Sequence, residues 1–157
     1  MLKENDLAPK FTLQADDGSK VRLADLRGRT VVLYFYPKDD TPGCTKEACE
    51  FRDHTRQIDK SGAVVLGVSP DSVESHKRFR EKYGLDFRLL ADPDHKVAEA
   101  YGVWQRKSMY GRKYWGIVRT TFVINERGRI AHIFEKVKPA GHAAEVLSVL
   151  NDASKDS

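Results

Sequence analysis

Three features of the sequence predict an α/β fold, a mixed β-sheet covered by helices in three layers. Residues 31–36 (VVLYFY) and 64–69 (VVLGVS) are continuous runs rich in β-branched and aromatic residues. Strands buried on both faces read this way. Segments of helical periodicity separate the strand segments, and that alternation calls for parallel crossovers. The last two strand segments flank Asn125-Glu126-Arg127-Gly128 with no helix between them, so they close the sheet as an antiparallel hairpin.

The elements follow in order. Phe11 to Leu13 and Val21 to Leu23, joined across Asp17-Gly18, form an N-terminal β-hairpin. Val31 to Tyr36 is a central strand, stopped by Pro37. A loop from Lys38 to Gly43 leads to a helix from about Cys44 to Lys60. Val64 to Ser69 is the second buried strand. Asp71 or Ser72 can cap a helix that Gly84 stops after Tyr83. Phe87 to Ala91 is a shorter strand, and Asp92 or Asp94 starts a short helix through Tyr101. Val103 to Gly116 is read as a polar, aromatic loop. Thr121 to Ile124 and Arg129 to Phe134 make the closing hairpin, and Ala140 to Leu150 is the last helix. Residues 1–151 are expected to form one domain, with a disordered tail over 152–157.

Composition narrows the function. The chain has 157 residues, 40% hydrophobic and 32% charged, within the range of globular domains. It lacks an apolar run of the ~18 residues needed to cross a bilayer, and the first residues show no apolar leader stretch. A cytoplasmic location is expected. Net charge is +4, but 27 basic residues are interleaved with 23 acidic ones and no recognition motif accompanies them. Neither nucleic acid nor membrane is expected as a partner.

The two cysteines, Cys44 and Cys49, are too few for a disulfide-scaffolded fold. Cys44 falls in the first turn of its helix, where unpaired N–H groups and the helix dipole favour the reactive thiolate. Cys44, Ala48, Phe51, Thr55 and Ile58 share one face, the inward one. Cys49 lies ~140° around the axis. Five residues of intact helix separate the two Cα atoms by more than the ~7 Å a disulfide tolerates, so bonding requires the helix to unwind. A nucleophilic thiolate needs hydrogen bonds that hold its substrate and charge stabilisation for the departing atom. Thr41 lies three residues before Cys44 and its hydroxyl can bond a substrate oxygen. Pro37 and Pro42 fix the loop. Arg119, just before a strand, is the candidate cation.

Pro37-x-x-x-Thr41-x-x-Cys44 resembles the active-site signature of peroxiredoxins. Gly43-Cys44-Thr45-x-Glu47-x-x-x-Phe51-Arg52-Asp53 is similar to the Q-type subfamily, the bacterioferritin comigratory proteins. Arg119-Thr120-Thr121-Phe122, Ala8-Pro9-x-Phe11 and Gly67-Val68-Ser69-x-Asp71 fit as well. The resemblance implies a thioredoxin-like fold and peroxide reduction without metal, haem or flavin, so no cofactor. It implies Cys44 as peroxidatic cysteine, Cys49 as resolving cysteine, and Pro37, Thr41 and Arg119 as site residues. It further implies thioredoxin or a similar dithiol protein as reductant, and a monomer.

Rival readings are weaker. A disulfide oxidoreductase of the thioredoxin type carries Cys-x-x-Cys, whereas the spacing here is Cys-x-x-x-x-Cys. A redox sensor would use the same disulfide without turnover. Zinc held by Cys44, Cys49 and His54 lacks a fourth ligand. His76, His95, His132 and His142 are read as solvated or capping residues. Glu47 either caps the helix start or bonds Arg119, and the aromatic loop with Trp104, Tyr110, Tyr114 and Trp115 lines the site entrance, docks a reductase or packs.

Overall fold

The computed structural model describes the backbone of residues 2–155. In chain order the strands are β1 (Thr12–Ala15), β2 (Lys20–Arg22), β3 (Thr30–Phe35), β4 (Ala63–Ser69), β5 (Arg88–Ala91), β6 (Trp104–Met109), β7 (Arg112–Ile117), β8 (Thr120–Ile124) and β9 (Ile130–Phe134). The helices are α1 (Pro42–Lys60), α2 (Val73–Tyr83), α3 (Lys96–Ala100) and α4 (His142–Lys155). Seven strands form one sheet in the order β2-β1-β5-β4-β3-β8-β9. β3, β4 and β5 are parallel, and β8 runs antiparallel to β3. The N-terminal hairpin joins the sheet through β1, antiparallel to β5.

The continuous apolar run of β3 is explained by a core on each side of the sheet. Val31, Leu33 and Phe35 pack on one face with Phe122, Tyr101 and Leu90. Val32, Tyr34 and Tyr36 pack on the other with α1, α2 and α4, through Phe51, Ile58, Phe79 and Val146. α3, through Ala98, covers the first face. This is the three-layer arrangement expected. Ser72 caps α2 by accepting from Ser75 N–H, and Gly84 ends it in the left-handed conformation, as the sequence implied. Asp92 accepts from the N–H groups of Val97 and Ala98, so it caps α3 from a distance. No helix among the described residues is long and apolar enough to cross a membrane.

Two expectations need correction. Residues 103–116 are not a loop: β6 and β7 form an antiparallel two-stranded ribbon, turning at Tyr110-Gly111, both with positive φ. Among the described residues the ribbon pairs with no other strand and lies open on most of its surface, so no apolar alternation marks it in the sequence. At the C-terminus, α4 begins at His142 and continues through Lys155, so residues 152–155, expected as tail, are helical. Residues 156 and 157 lie outside the described residues.

Gly67 in β4 is required by close approach. A Cβ there would meet the Tyr34 ring and hydroxyl at 2.9 Å and Leu89 at 3.0 Å. Tyr34 cannot swing clear, because it is stacked on both Phe51 and Tyr36. Gly67→Ala is therefore expected to lower stability by about 1–3 kcal/mol through overpacking. Urea denaturation that finds the variant as stable as the parent would contradict this packing.

Candidate active site

The loop after β3 turns into α1 through Thr41, which holds an extended conformation at the N-cap, and Pro42 supplies the first helical residue. The first helical bond runs from Thr45 N–H to the Thr41 carbonyl. The amides of Gly43 and Cys44 precede it, so they lack intrahelical acceptors and face the helix entrance. Cys44 is thus in the first turn, as expected, although the helix starts two residues earlier. Its side chain is buried, that of Cys49 is half-buried, and the two are not bonded to each other. α1 is continuous through both cysteines.

The inward face of α1 is also as expected, with Cys44, Ala48, Phe51 and Ile58 buried. Thr55 is half-buried at the margin and donates to Asp86. Glu47 is the exception: a carboxylate with no exposed surface. Of the two roles open to it, capping or pairing with Arg119, the structure selects the second. Arg119 donates from Nη1 to Glu47 Oε1 at 2.7 Å and from Nη2 to Cys44 Sγ at 3.2 Å. One guanidinium therefore spans two residues a helical turn apart. Gly43 lies directly beside this guanidinium: a Cβ there would sit 3.4 Å from Nη2.

Burial lifts the Glu47 carboxyl to about 7, outweighing the opposing pull of Arg119, while its Oε2 has no hydrogen-bond partner. For Arg119, burial works against the charge, and Glu47 and Cys44 more than offset it, so the guanidinium stays firmly protonated. Thr41 Oγ1 donates to the Lys38 carbonyl at 2.9 Å, which fixes the hydroxyl and leaves its lone pairs free to accept. Pro37 is half-buried at the head of the same loop.

Sequence reasoning missed the anchor under this loop. Asp39, buried, accepts from Tyr36 Oη at 2.5 Å and Ser75 Oγ at 2.8 Å, and its Oδ2 lies 2.7 Å from His76 Nδ1. Its backbone N–H donates to Asp71. His76 Nε2 faces the Leu90 carbonyl at 2.9 Å, which can only accept, so that nitrogen carries a proton. Next in the chain, Asp40 accepts from Lys82 Nζ and Tyr83 Oη. Hence α2 clamps the loop on consecutive residues. The reading of His76 as solvated or capping is overturned, since it has no exposed surface. His142 is likewise buried: it bonds Thr121 Oγ1 and packs edge-on against Phe51 and Phe134, and desolvation lowers its pKa. The one metal-like grouping among the described residues is Asp39, Asp71 and His76, without Cys44, Cys49 or His54.

Comparison with known proteins places this geometry in a lineage. The sequence pattern of the AhpC/TSA family matches residues 5–133. The chain is 57% identical over 143 residues to a Bcp-type protein of Coxiella burnetii, covering 91% of this chain and 95% of that one. It is 50% identical to peroxiredoxin Bcp of Bacillus subtilis, covering 94% of each. The structure superposes on the bacterioferritin comigratory protein of Xanthomonas campestris with a TM-score of 0.88 at 41% identity, covering 92% of both.

The buried carboxyl has a measurable consequence. Between about pH 4.5 and 7 the folded protein keeps a proton on Glu47 that the unfolded chain has released. Stability from this group is therefore full below about 4.5 and declines as pH rises towards 7, by up to about 1.4 kcal/mol per pH unit. Glu47→Gln removes this component. The difference in unfolding free energy between parent and variant, from urea titrations, is expected to change across that window and flatten outside it. A difference that stays constant with pH would refute it.

Proposed function

We propose a reaction cycle for this chain, which belongs to the AhpC/TSA family and, within it, to the Bcp-type peroxiredoxins. It is a thiol-dependent peroxidase with a thioredoxin-like fold; peroxide is its substrate and a thiol its reductant. The observation that carries the cycle is the 3.2 Å contact from Arg119 Nη2 to Cys44 Sγ at the N-terminus of α1.

Cys44 is the peroxidatic nucleophile. With its proton lost, the sulfur is stabilised by Arg119 and by the α1 N-terminal amides. The thiolate attacks one peroxide oxygen along the O–O axis. The S–O bond forms as O–O breaks, and the departing oxygen leaves as water or an alcohol once protonated. Arg119 is placed to stabilise the charge developing on that oxygen, and the free lone pairs of Thr41 Oγ1 can accept from the peroxide. Pro37 holds the head of the loop. Glu47 aims Arg119, which makes it a positioning residue.

The sulfenic acid then condenses with the Cys49 thiol, releasing water and forming the disulfide. With α1 intact the two cysteines are ~7.5 Å apart along the axis and on different faces, so the first turns of α1 must unwind. Phe51 is the natural stop. It is stacked on Tyr34 and edge-on to Phe87 and His142, while Arg52 donates to the Tyr83 carbonyl. An external dithiol protein of the thioredoxin type attacks the disulfide and returns both thiols. Both cysteines lie in one chain, so one protomer completes the cycle, and the chain through the end of α4 acts as a single domain in a reducing compartment such as the cytoplasm. Alkyl hydroperoxides are included as substrates, since the similar Xanthomonas protein is described by its alkyl peroxide reduction.

Reduced protein mixed with one equivalent of hydrogen peroxide is expected to lose ~2 Da within seconds, with no such loss in Cys44→Ser or Cys49→Ser. An unchanged mass in the parent would sink the cycle. In the oxidised form, hydrogen exchange over residues 44–52 is expected to accelerate while that of β3 and β4 stays slow. Full protection across those helical residues would show that the disulfide forms some other way.

A further inference from the structure

Four of the five most exposed large apolar or aromatic side chains among the described residues lie on the β6–β7 ribbon. They are Tyr110 (98% exposed), Trp115 (58%), Met109 (56%) and Tyr114 (39%); the fifth is Leu7. Such clustering on a protein surface marks an interaction site. The ribbon also holds Arg106, Lys107, Arg112 and Lys113, with no Asp or Glu between residues 104 and 117. Setting those four aside leaves 23 of the 27 basic residues, equal to the 23 acidic ones, so the net charge of +4 resides on this ribbon.

The arrangement identifies the occupant. Consecutive strand residues point to opposite faces. Cross-strand pairing sets Arg106 opposite Trp115 on one face and Lys107 opposite Tyr114 on the other, with Lys107 Nζ 6.0 Å from the Tyr114 ring centre. Arg106 beside Trp115 is exposed, whereas on the other face Lys107 Nζ is tied to the Ile117 carbonyl at 2.9 Å; exposed Tyr110, Arg112 and Lys113 extend the cation and aromatic chemistry to the tip. Exposed basic side chains beside exposed Trp and Tyr, with no acidic residue among them, match a layer of anionic lipid headgroups, with the rings at headgroup depth and Lys and Arg on phosphate.

We propose that the β6–β7 ribbon is a peripheral anchor for anionic phospholipid bilayers. It spans nothing, so the lack of a spanning segment, on which the expectation of no membrane partner rested, does not bear on it. The ribbon's base ends at Ile117, two residues before Arg119, and its tip at Tyr110-Gly111 projects away from that base. The anchoring does not rest on the peroxidase reading.

Co-sedimentation of the intact protein with vesicles of phosphatidylglycerol and phosphatidylcholine tests the anchor. Binding is expected with the mixed vesicles, to weaken with added salt, and to be far weaker with phosphatidylcholine alone. Tyr110→Ser with Trp115→Ser, and separately Arg112→Glu with Lys113→Glu, are each expected to reduce binding at least about tenfold. Turnover of hydrogen peroxide should stay unchanged in both, which separates loss of the anchor from loss of the fold or the chemistry. No binding to anionic vesicles at low salt would overturn the proposal. So would equal binding by the variants, or vesicle binding unaffected in variants whose KM for a dithiol protein reductant rises; that last result would assign the ribbon to the reductant.

Discussion

The antiparallel pairing of β3 with β8 is the constraint on which the site depends. Its register sets Phe35 opposite Thr120, so Arg119 lies beside the point where β3 hands the chain to the loop and α1. A register slip of one residue would turn every side chain of β8 to the other face of the sheet. Both strands are buried on both faces, so such a slip would exchange Phe122 and Val123 between the two cores and leave each misfilled. The site is therefore held by the same packing that holds the domain. Cys44 and Arg119, 75 residues apart in the chain, meet because two hydrophobic strands have a single acceptable alignment.

The first turns of α1 carry opposing demands. A reactive cysteine needs free amides and a cation, so it sits at a helix end, where the backbone is least restrained. Forming a bond to Cys49 needs that end to open. Burying Glu47 with one oxygen unpartnered disfavours the closed form relative to a fully satisfied helix, while its bond to Arg119 favours it. Upstream, Asp39 and Asp40 tie the loop to α2; downstream, Phe51 is locked in an aromatic cluster. The segment free to rearrange is bounded at both ends, which confines unwinding to the turns that carry the cysteines.

The two surfaces of the molecule differ in kind. Around most of the chain, charges of both signs are balanced and aromatic rings are buried. On the ribbon the charges share one sign and the rings are exposed. Hydrophobic burial cannot explain the ribbon's shape, since most of its side chains are exposed. It is held by its own ladder, by the Tyr110-Gly111 turn, and by Trp104 and Ile117, which pack against the core at its base.

Sequence alone determined the seven strands of the main sheet, the positions of α1 and α2, and Cys44 in the first turn of α1. These are local matters: apolar runs, caps and stop glycines report directly on burial and backbone geometry. It also named Arg119, because a cation beside a strand end is legible once a thiolate requires one. Tertiary structure alone decided the partner of Glu47 and the burial of His76 and His142. An isolated histidine carries no mark of the Asp39 or Thr121 that satisfies it from a distant element. It alone revealed the ribbon, whose exposed faces leave no periodic apolar trace. The division follows from range: local propensity and periodicity are written along the chain, whereas a buried polar group is defined by which remote partner the fold brings to it.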